Sequence, residues 1–269
     1  MSMTVSRRQL LASAATLAAG RAFAELAAPN PAGVSMGHLH LNASDLEAQR
    51  KFWALLGAKP GNKLGANEVM KVRNALIMIR KAEVTGGTEG SVVNHIGFKI
   101  PDLHAYRAKV SAAGHKLLTE EEQSLKTHKS FVLGPDGVKV ELVEDKSLDV
   151  PIANHHIHWF RSPVDETKAW YVKTFDAIPG HRDQFEAADL PGVNLSFSPS
   201  PTPVVGTKGR VLDHVGFEVH GLEAFTKKLE GDGVKFDVPY RRVNAKLAVA
   251  FFTDPFGTYI ELTEGLAKF

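Results

Sequence analysis

The sequence predicts an α+β fold built from four βαβββ modules, two in each half of the chain. Three observations predict it. The second half repeats the first at one nearly constant spacing, each half contains a shorter repeat, and every module runs from a strand-like opening through a helix to three further strand-like stretches. Bulk properties agree with a folded, soluble chain: 269 residues, 43% hydrophobic and 23% charged, enough for one large domain or two of ordinary size. The 32 basic and 30 acidic residues leave a net charge of +2 with no basic stripe, which argues against a nucleic-acid partner. There is no cysteine, so disulfides, thiolate metal sites and cysteine nucleophiles are excluded.

The long repeat rests on three anchors. Asn94-His95-Ile96-Gly97-Phe98 returns as Asp213-His214-Val215-Gly216-Phe217, 119 residues later. Gly134-Pro135-Asp136-Gly137, leading to Glu141, returns as Asp254-Pro255-Phe256-Gly257, leading to Glu261, 120 residues later. His38-Leu39-His40-Leu41 returns as His156-Ile157-His158-Trp159 at a spacing of 118. The short repeat is the pattern His-apolar-x-apolar at His38, His95, His156 and His214, which places module starts near residues 36, 93, 154 and 212.

Each opening segment is short, rich in β-branched and aromatic residues, and alternating, hence a strand. In module one a helix starts at Ser44-Asp45, carries Leu46, Phe52, Trp53 and Leu56 on one stripe and stops at Gly57. Its counterparts run from Asp102 to Ala113 before Gly114, from Pro163 to Phe175, and from Leu222 to Leu229 ending at Gly231. Trp53, Trp170 and Tyr171 on these helices read as core. Glu120-Glu121-Glu122 reads as a solvated face or helix start. The Pro-containing tight turns feed the last strands of modules two and four. Ser198 to Thr207, with three of the chain's 14 prolines, reads as a link within the second half, and Asp145 to Val150 as the link between halves.

The first 24 residues read as an export signal, followed by halves at 25–148 (modules one and two) and 149–269 (modules three and four). Arg7-Arg8 precedes a short apolar stretch and then Ala22-Phe23-Ala24, a charged start and small-residue end of the twin-arginine type. This expectation puts the mature chain, from about Glu25, in the periplasm, with no membrane-spanning segment.

Strand alternation decides which side chains share a face. His156 and His158 point one way, Ile157 and Trp159 the other. His214 shares a face with Gly216, and Glu261 with Tyr259 and Thr263. A carboxylate closing an otherwise apolar strand is costly to bury unpaired. Two histidines and a carboxylate suit Fe(II), Mn(II), Ni(II) or Zn(II) and leave coordination positions open. His40 and His158 lie on the same faces as these residues and read as cleft-lining groups or bases. Tyr240-Arg241-Arg242 reads as a solvated turn, with anion binding as the alternative.

The pattern of His-apolar-x-apolar, helix and three strands closing in Pro-x-Gly-x-x-x-Glu resembles the vicinal oxygen chelate superfamily, which includes glyoxalase I, fosfomycin and bleomycin resistance proteins and extradiol dioxygenases. The resemblance covers nearly all of the chain after residue 24. It implies paired modules forming two curved mixed-sheet clefts, with a metal held by the opening histidine of each module in a pair and a glutamate on a last strand. Applied within each half, it implies His156, His214 and Glu261 as ligands of one divalent metal and His38, His95 and Glu141 as a second, less certain site. The resemblance to glyoxalase I is incomplete, because Ser196 and Met78 stand where a fourth, glutamate ligand would come. Ring-cleaving dioxygenases differ too: Arg242, Val243 and Asn244 occupy their histidine region and Phe251 the place of their tyrosine. The expected function is metal-dependent isomerase or lyase chemistry on a small oxygen-rich molecule by bidentate chelation, with His158 or Glu261 as base. The alternatives are an Fe(II) dioxygenase and a non-catalytic binding protein. A homodimer is compatible with this reading.

Overall fold

The computed structural model describes residues 26–266, so the export signal expected at 1–24 lies outside the described residues. Within them the four modules form as expected. Module one comprises β1 (Val34–Ala43), α1 (Leu46–Leu55), β2 (Lys59–Pro60), β3 (Glu68–Val72) and β4 (Ala75–Lys81). Module two comprises β5 (Val93–Ile100), α2 (Leu103–Ala112), β6 (Lys116–Leu117), an added helix α3 (Glu121–Thr127), β7 (Lys129–Leu133) and β8 (Lys139–Glu144). Module three comprises β9 (Ala153–Phe160), α4 (Val164–Phe175), β10 (Ile178–Arg182), β11 (Phe185–Leu190) and β12 (Val193–Ser198). Module four comprises β13 (Leu212–Val219), α5 (Leu222–Gly231), β14 (Phe236–Arg242), β15 (Ala248–Thr253) and β16 (Tyr259–Glu264). The Asp45 carboxylate accepts from the amides of Glu47 and Ala48 and so caps α1. Gly57, past its end, has φ +96°, a conformation open to glycine without cost.

The strands make two eight-stranded sheets. One runs β14-β15-β16-β13-β1-β4-β3-β2, the other β10-β11-β12-β9-β5-β8-β7-β6. Modules one and four therefore share a sheet, as do modules two and three. The expectation that consecutive modules pair within each half is corrected: the central contacts are β1 with β13 and β5 with β9, both antiparallel. The short link 145–152 joins β8 to β9 within one sheet, while the links 82–92 and 199–211 carry the chain to that sheet and back. These two crossings are tied together. Val92 N donates to Val205 O, and the Arg210 guanidinium donates to the carbonyls of Gly87 and Glu89, each at 2.9 Å.

Most apolar strand residues enter one core shared by both sheets. Trp53 of α1 packs edge-on against Phe98 of β5, and Phe175 of α4 lies 4.6 Å from Phe217 of β13, so helices attached to one sheet pack on strands of the other. Trp159 Nε1 donates to Thr258 Oγ1 at 2.9 Å and Tyr171 Oη donates to Asp254 Oδ2 at 2.7 Å, satisfying the polar ends of two fully buried aromatics across the same boundary. Leu39 and Leu41 point into this core. By the two-residue period of β1, His38 and His40 point to the opposite, cleft face. Among the described residues no helix is long and apolar enough to cross a membrane.

Candidate metal centres in the two clefts

The β1–β13 register sets His38 opposite Gly216 and His40 opposite His214. The parallel β13–β16 pair sets Gly216 beside Glu261. One row across the sheet thus holds His38, Gly216 and Glu261, and His40 and His214 fill the row beside it. Gly216 is what lets the row close. A Cβ built there would fall 2.0 to 2.6 Å from atoms of the His38 ring, so only a residue without a side chain leaves room for that imidazole.

Nε2 of His38 and Nε2 of His214 each lie 2.9 Å from one oxygen, Glu261 Oε2. His214 Nδ1 donates to Asp213 Oδ2 at 2.7 Å, and Asp213 Oδ1 accepts from Asn42 and from the Gly209 amide. The His40 ring stacks on that of His214, centroids 4.2 Å apart. Both of its ring nitrogens are buried without a hydrogen-bond partner, as is Nδ1 of His38. His38, His40, His214 and Glu261 offer ligand atoms all within 4.8 Å of one another, and all four residues are buried.

Charge in this cluster follows the geometry. Burial alone would raise the Glu261 carboxyl, but His38 and His214 hold it well below the ordinary carboxylate range. Burial would likewise depress His214; hydrogen bonds to Asp213 and Glu261 outweigh it and raise the imidazole. Burial depresses His40 well below the usual imidazole value, and the neighbouring His214 and His38 add to it.

The second cleft repeats the plan. His156 stands opposite Gly97 and His158 opposite His95, and a Cβ on Gly97 would fall 1.9 to 2.6 Å from atoms of the His156 ring. Glu141 Oε2 lies 3.1 Å from His95 Nε2 and 2.9 Å from His156 Nε2. That His156 nitrogen is out of line for a hydrogen bond and has no other partner. The surroundings differ from the first cleft. His95 Nδ1 faces an amide, Asn94 Oδ1, where His214 faces a carboxylate. His158, unlike His40, is engaged by Ser198 Oγ at 2.8 Å and by Arg182 at 3.4 Å. Burial, with His95, His156 and Arg182 adding to it, depresses His158 to about 2.

The structure therefore assembles all six of the expected ligands, but in the combinations His38, His214 and Glu261 on one sheet, and His95, His156 and Glu141 on the other. His156 does not meet His214 and Glu261, and His38 does not meet His95 and Glu141, because modules pair across the halves. His158 and Glu261, the two expected bases, lie in different clefts.

The matched family is decided by sequence over most of the chain: residues 35–142 and 154–262 match the model of the Glyoxalase/Bleomycin resistance protein/Dioxygenase superfamily. The chain belongs to that superfamily. No curated protein matches it by sequence. Among solved structures similar to this superfamily member, glyoxalase I from Zea mays is 15% identical with a TM-score of 0.70, over 87% of this chain and 94% of that one. A Bacillus subtilis protein described as a dioxygenase is 12% identical with a TM-score of 0.62, over 90% of this chain and 86% of that one. At these identities the likeness shows the fold.

The residues of both clefts fit a divalent metal. Two ligand atoms about 2.1 Å from an ion are about 3.0 Å apart at the right angles of an octahedral site and about 3.4 Å apart in a tetrahedral one, and the 2.9 Å separating each imidazole nitrogen from Glu261 Oε2 is near the first of these. Unpartnered buried nitrogens at both ring positions of His40 and at Nε2 of His156 are what a missing ion or ligand leaves behind. The fit is better in the cleft of modules one and four. There the Asp213 carboxylate fixes the His214 tautomer in the manner of ligating histidines, and no guanidinium stands beside the histidines as Arg182 does in the other cleft. Met78, in register with His40, has no oxygen to offer, so His40 is the remaining donor on that side. Asp213 and the pairing of His40 with His214 had not been singled out from sequence. The exchange of Asn94 for Asp213 between repeats was the available signal.

Proposed function

We propose that this chain is a metal-dependent enzyme acting on a small oxygen-rich organic molecule, with its working site in the cleft of modules one and four and His38, His214 and Glu261 as metal ligands. The observation that carries this reading is the convergence of two imidazole nitrogens on one buried carboxylate oxygen, beside a third buried imidazole whose nitrogens both lack partners. A divalent Fe, Mn, Ni or Zn ion bound there would supply Lewis-acid stabilisation to a substrate presenting adjacent oxygens. Asp213 orients His214, Gly216 makes room for His38, and Glu261, engaged by two imidazoles, serves as ligand rather than base. His40 is the group placed to take a proton from the substrate and return it, as isomerase or lyase chemistry requires. The cleft of modules two and three, with His95, His156 and Glu141, is a second and weaker metal site. If the N-terminal export reading holds, the reaction takes place in the periplasm.

A ring-cleaving dioxygenase is the second reading, favoured by one observation. Although Phe251 stands where a tyrosine is usual, Tyr259 stacks on Phe251 and lies 5.7 Å, centroid to centroid, from His214, so a phenol is present in the cavity from a different strand. Metal analysis of the purified chain with activity measured under air and without oxygen tests both. Turnover without oxygen on Ni(II), Zn(II) or Mn(II) supports the isomerase or lyase, and Fe(II) with oxygen uptake supports the dioxygenase. A chain that takes up no metal is a binding protein, and the proposal fails.

A further inference from the structure

The cavity above His40, His214 and Glu261 encloses about 540 Å³. Part of its wall is a small apolar cluster separate from the main core, including Met78, Leu247, Val249 and Leu266 with Phe251 packed against it. Its rim carries three cations: Arg80 on β4, Arg241 on β14 and Lys208 on the link before β13. Lys208 is accounted for, 3.4 Å from Asp237 and over the Tyr259 ring. Arg80 and Arg241 have no acidic partner among the described residues, and the carboxylates of the wall are already committed, Glu261 to two histidines and Asp213 to His214, Asn42 and Gly209.

The other cleft is a control within the same chain. Its rim lysines are paired, Lys129 with Asp183 and Lys139 with Glu89, and its guanidinium, Arg182, is not free at the rim but engaged inside the cleft by Ser196, His158 and the same Asp183. The residue in register with Arg80 is there Ser198: β4 pairs Arg80 with Asn42, and β12 pairs Ser198 with Phe160. Uncompensated guanidinium at the rim thus belongs to the cleft with the better metal site. A guanidinium presents a planar fork of donors that matches an oxyanion and, with no carboxylate beside it, gives the cavity mouth a positive field.

We propose that the substrate of this cleft is an anion that carries, beyond the oxygens bound at the metal, a carboxylate or similar oxyanion arm received by a rim arginine, Arg80 foremost. This deepens the metal-site reading above and rests on it. The apolar wall covers the body of the molecule between its two polar ends, and Arg241, on the opposite wing, adds to the attraction.

The test uses matched pairs of 2-oxo acids titrated calorimetrically into the Mn(II)-loaded full chain: 2-oxoglutarate against 2-oxopentanoate, and 2-oxoadipate against 2-oxohexanoate. Members of a pair share the chelating head and chain length and differ in the terminal carboxylate. The charged member of at least one pair should bind about tenfold more tightly. That preference should fall to about twofold or less in the Arg80→Gln/Arg241→Gln double variant, with metal content and melting temperature unchanged. Arg80→Gln alone should account for most of the fall. The proposal is overturned if neither pair shows a preference in the native chain, or if the preference survives the double substitution. A chain that takes up no Mn(II) defeats the metal reading instead. The same pairs titrated against metal-free protein then decide the arginine proposal by the same criterion.

Discussion

Replacing Gly216 by alanine should damage the metal centre of modules one and four and leave that of modules two and three intact. The backbone there is ordinary strand without positive φ, so alanine meets no conformational penalty, and the whole effect comes from one methyl group. That methyl would fall 2.0 Å from Cε1 and 2.1 Å from Nδ1 of His38, far inside van der Waals contact, and His38 is fully buried. The ring must leave its position or β1 must move away from β13. Overpacking of this kind costs about 1–3 kcal/mol, which for a chain of this size lowers the melting temperature by about 2–12 °C. The lower end applies if His38 swings aside, and metal is then lost from the cleft of modules one and four. Gly180→Ala is the control, since nothing lies within 4 Å of a Cβ built there. Calorimetric melting together with metal content by mass spectrometry reads both effects. A Gly216→Ala chain with unchanged melting temperature and full metal content would refute the placement of His38 over Gly216.

Further outcomes follow from the same geometry. Asp213→Asn removes the carboxylate that orients His214 and should weaken metal binding about 10–100-fold with little change in fold, measured by competition with a chromogenic chelator. Metal uptake should release protons near neutral pH. Because Asp213 and Glu261 raise His214 above its ordinary value, its proton is held more tightly in the metal-free chain, and affinity should fall as pH drops from 8 to 6. Calorimetry in buffers of different ionisation heat detects the release. Tyr171→Phe removes the donor 2.7 Å from Oδ2 of buried Asp254, whose Oδ1 keeps the Phe256 and Thr258 amides, and should destabilise the fold by about 1–3 kcal/mol in urea unfolding.

Strand and helix order were legible in the sequence because each module repeats the same switch from two-residue to helical periodicity, stopped by glycines such as Gly57 and Gly114. Helix α3 begins at Glu121, in agreement with the helix-start reading of the acidic run; its length was not legible, because its exposed charges carry no apolar stripe to mark seven residues of helix. The ligand types were legible too, but their combination was not, and the reason is physical. Two openings read His-x-His, at His38 and His156, and two read His-x-Gly, at His95 and His214. Each His-x-His strand needs a His-x-Gly partner so that one ring can sit over a glycine, and either partner meets that need equally. Nothing local in β1 distinguishes β5 from β13. The choice is made by the links, through contacts such as Arg210 with Gly87 and Glu89, which join segments more than 120 residues apart. The unpartnered state of His40 was hidden for a similar reason: it depends on Met78 arriving beside it from β4, where β12 brings serines at Ser196 and Ser198 toward His158.

Metal affinity measured in His38→Ala, His156→Ala and Glu261→Gln, singly and in pairs, bears most directly on which modules share an ion. His38→Ala and Glu261→Gln should each abolish the tighter site and add nothing to one another when combined, while His156→Ala leaves that site intact. Loss of one and the same site in both His156→Ala and Glu261→Gln, with His38→Ala unaffected, would contradict the pairing of module one with module four.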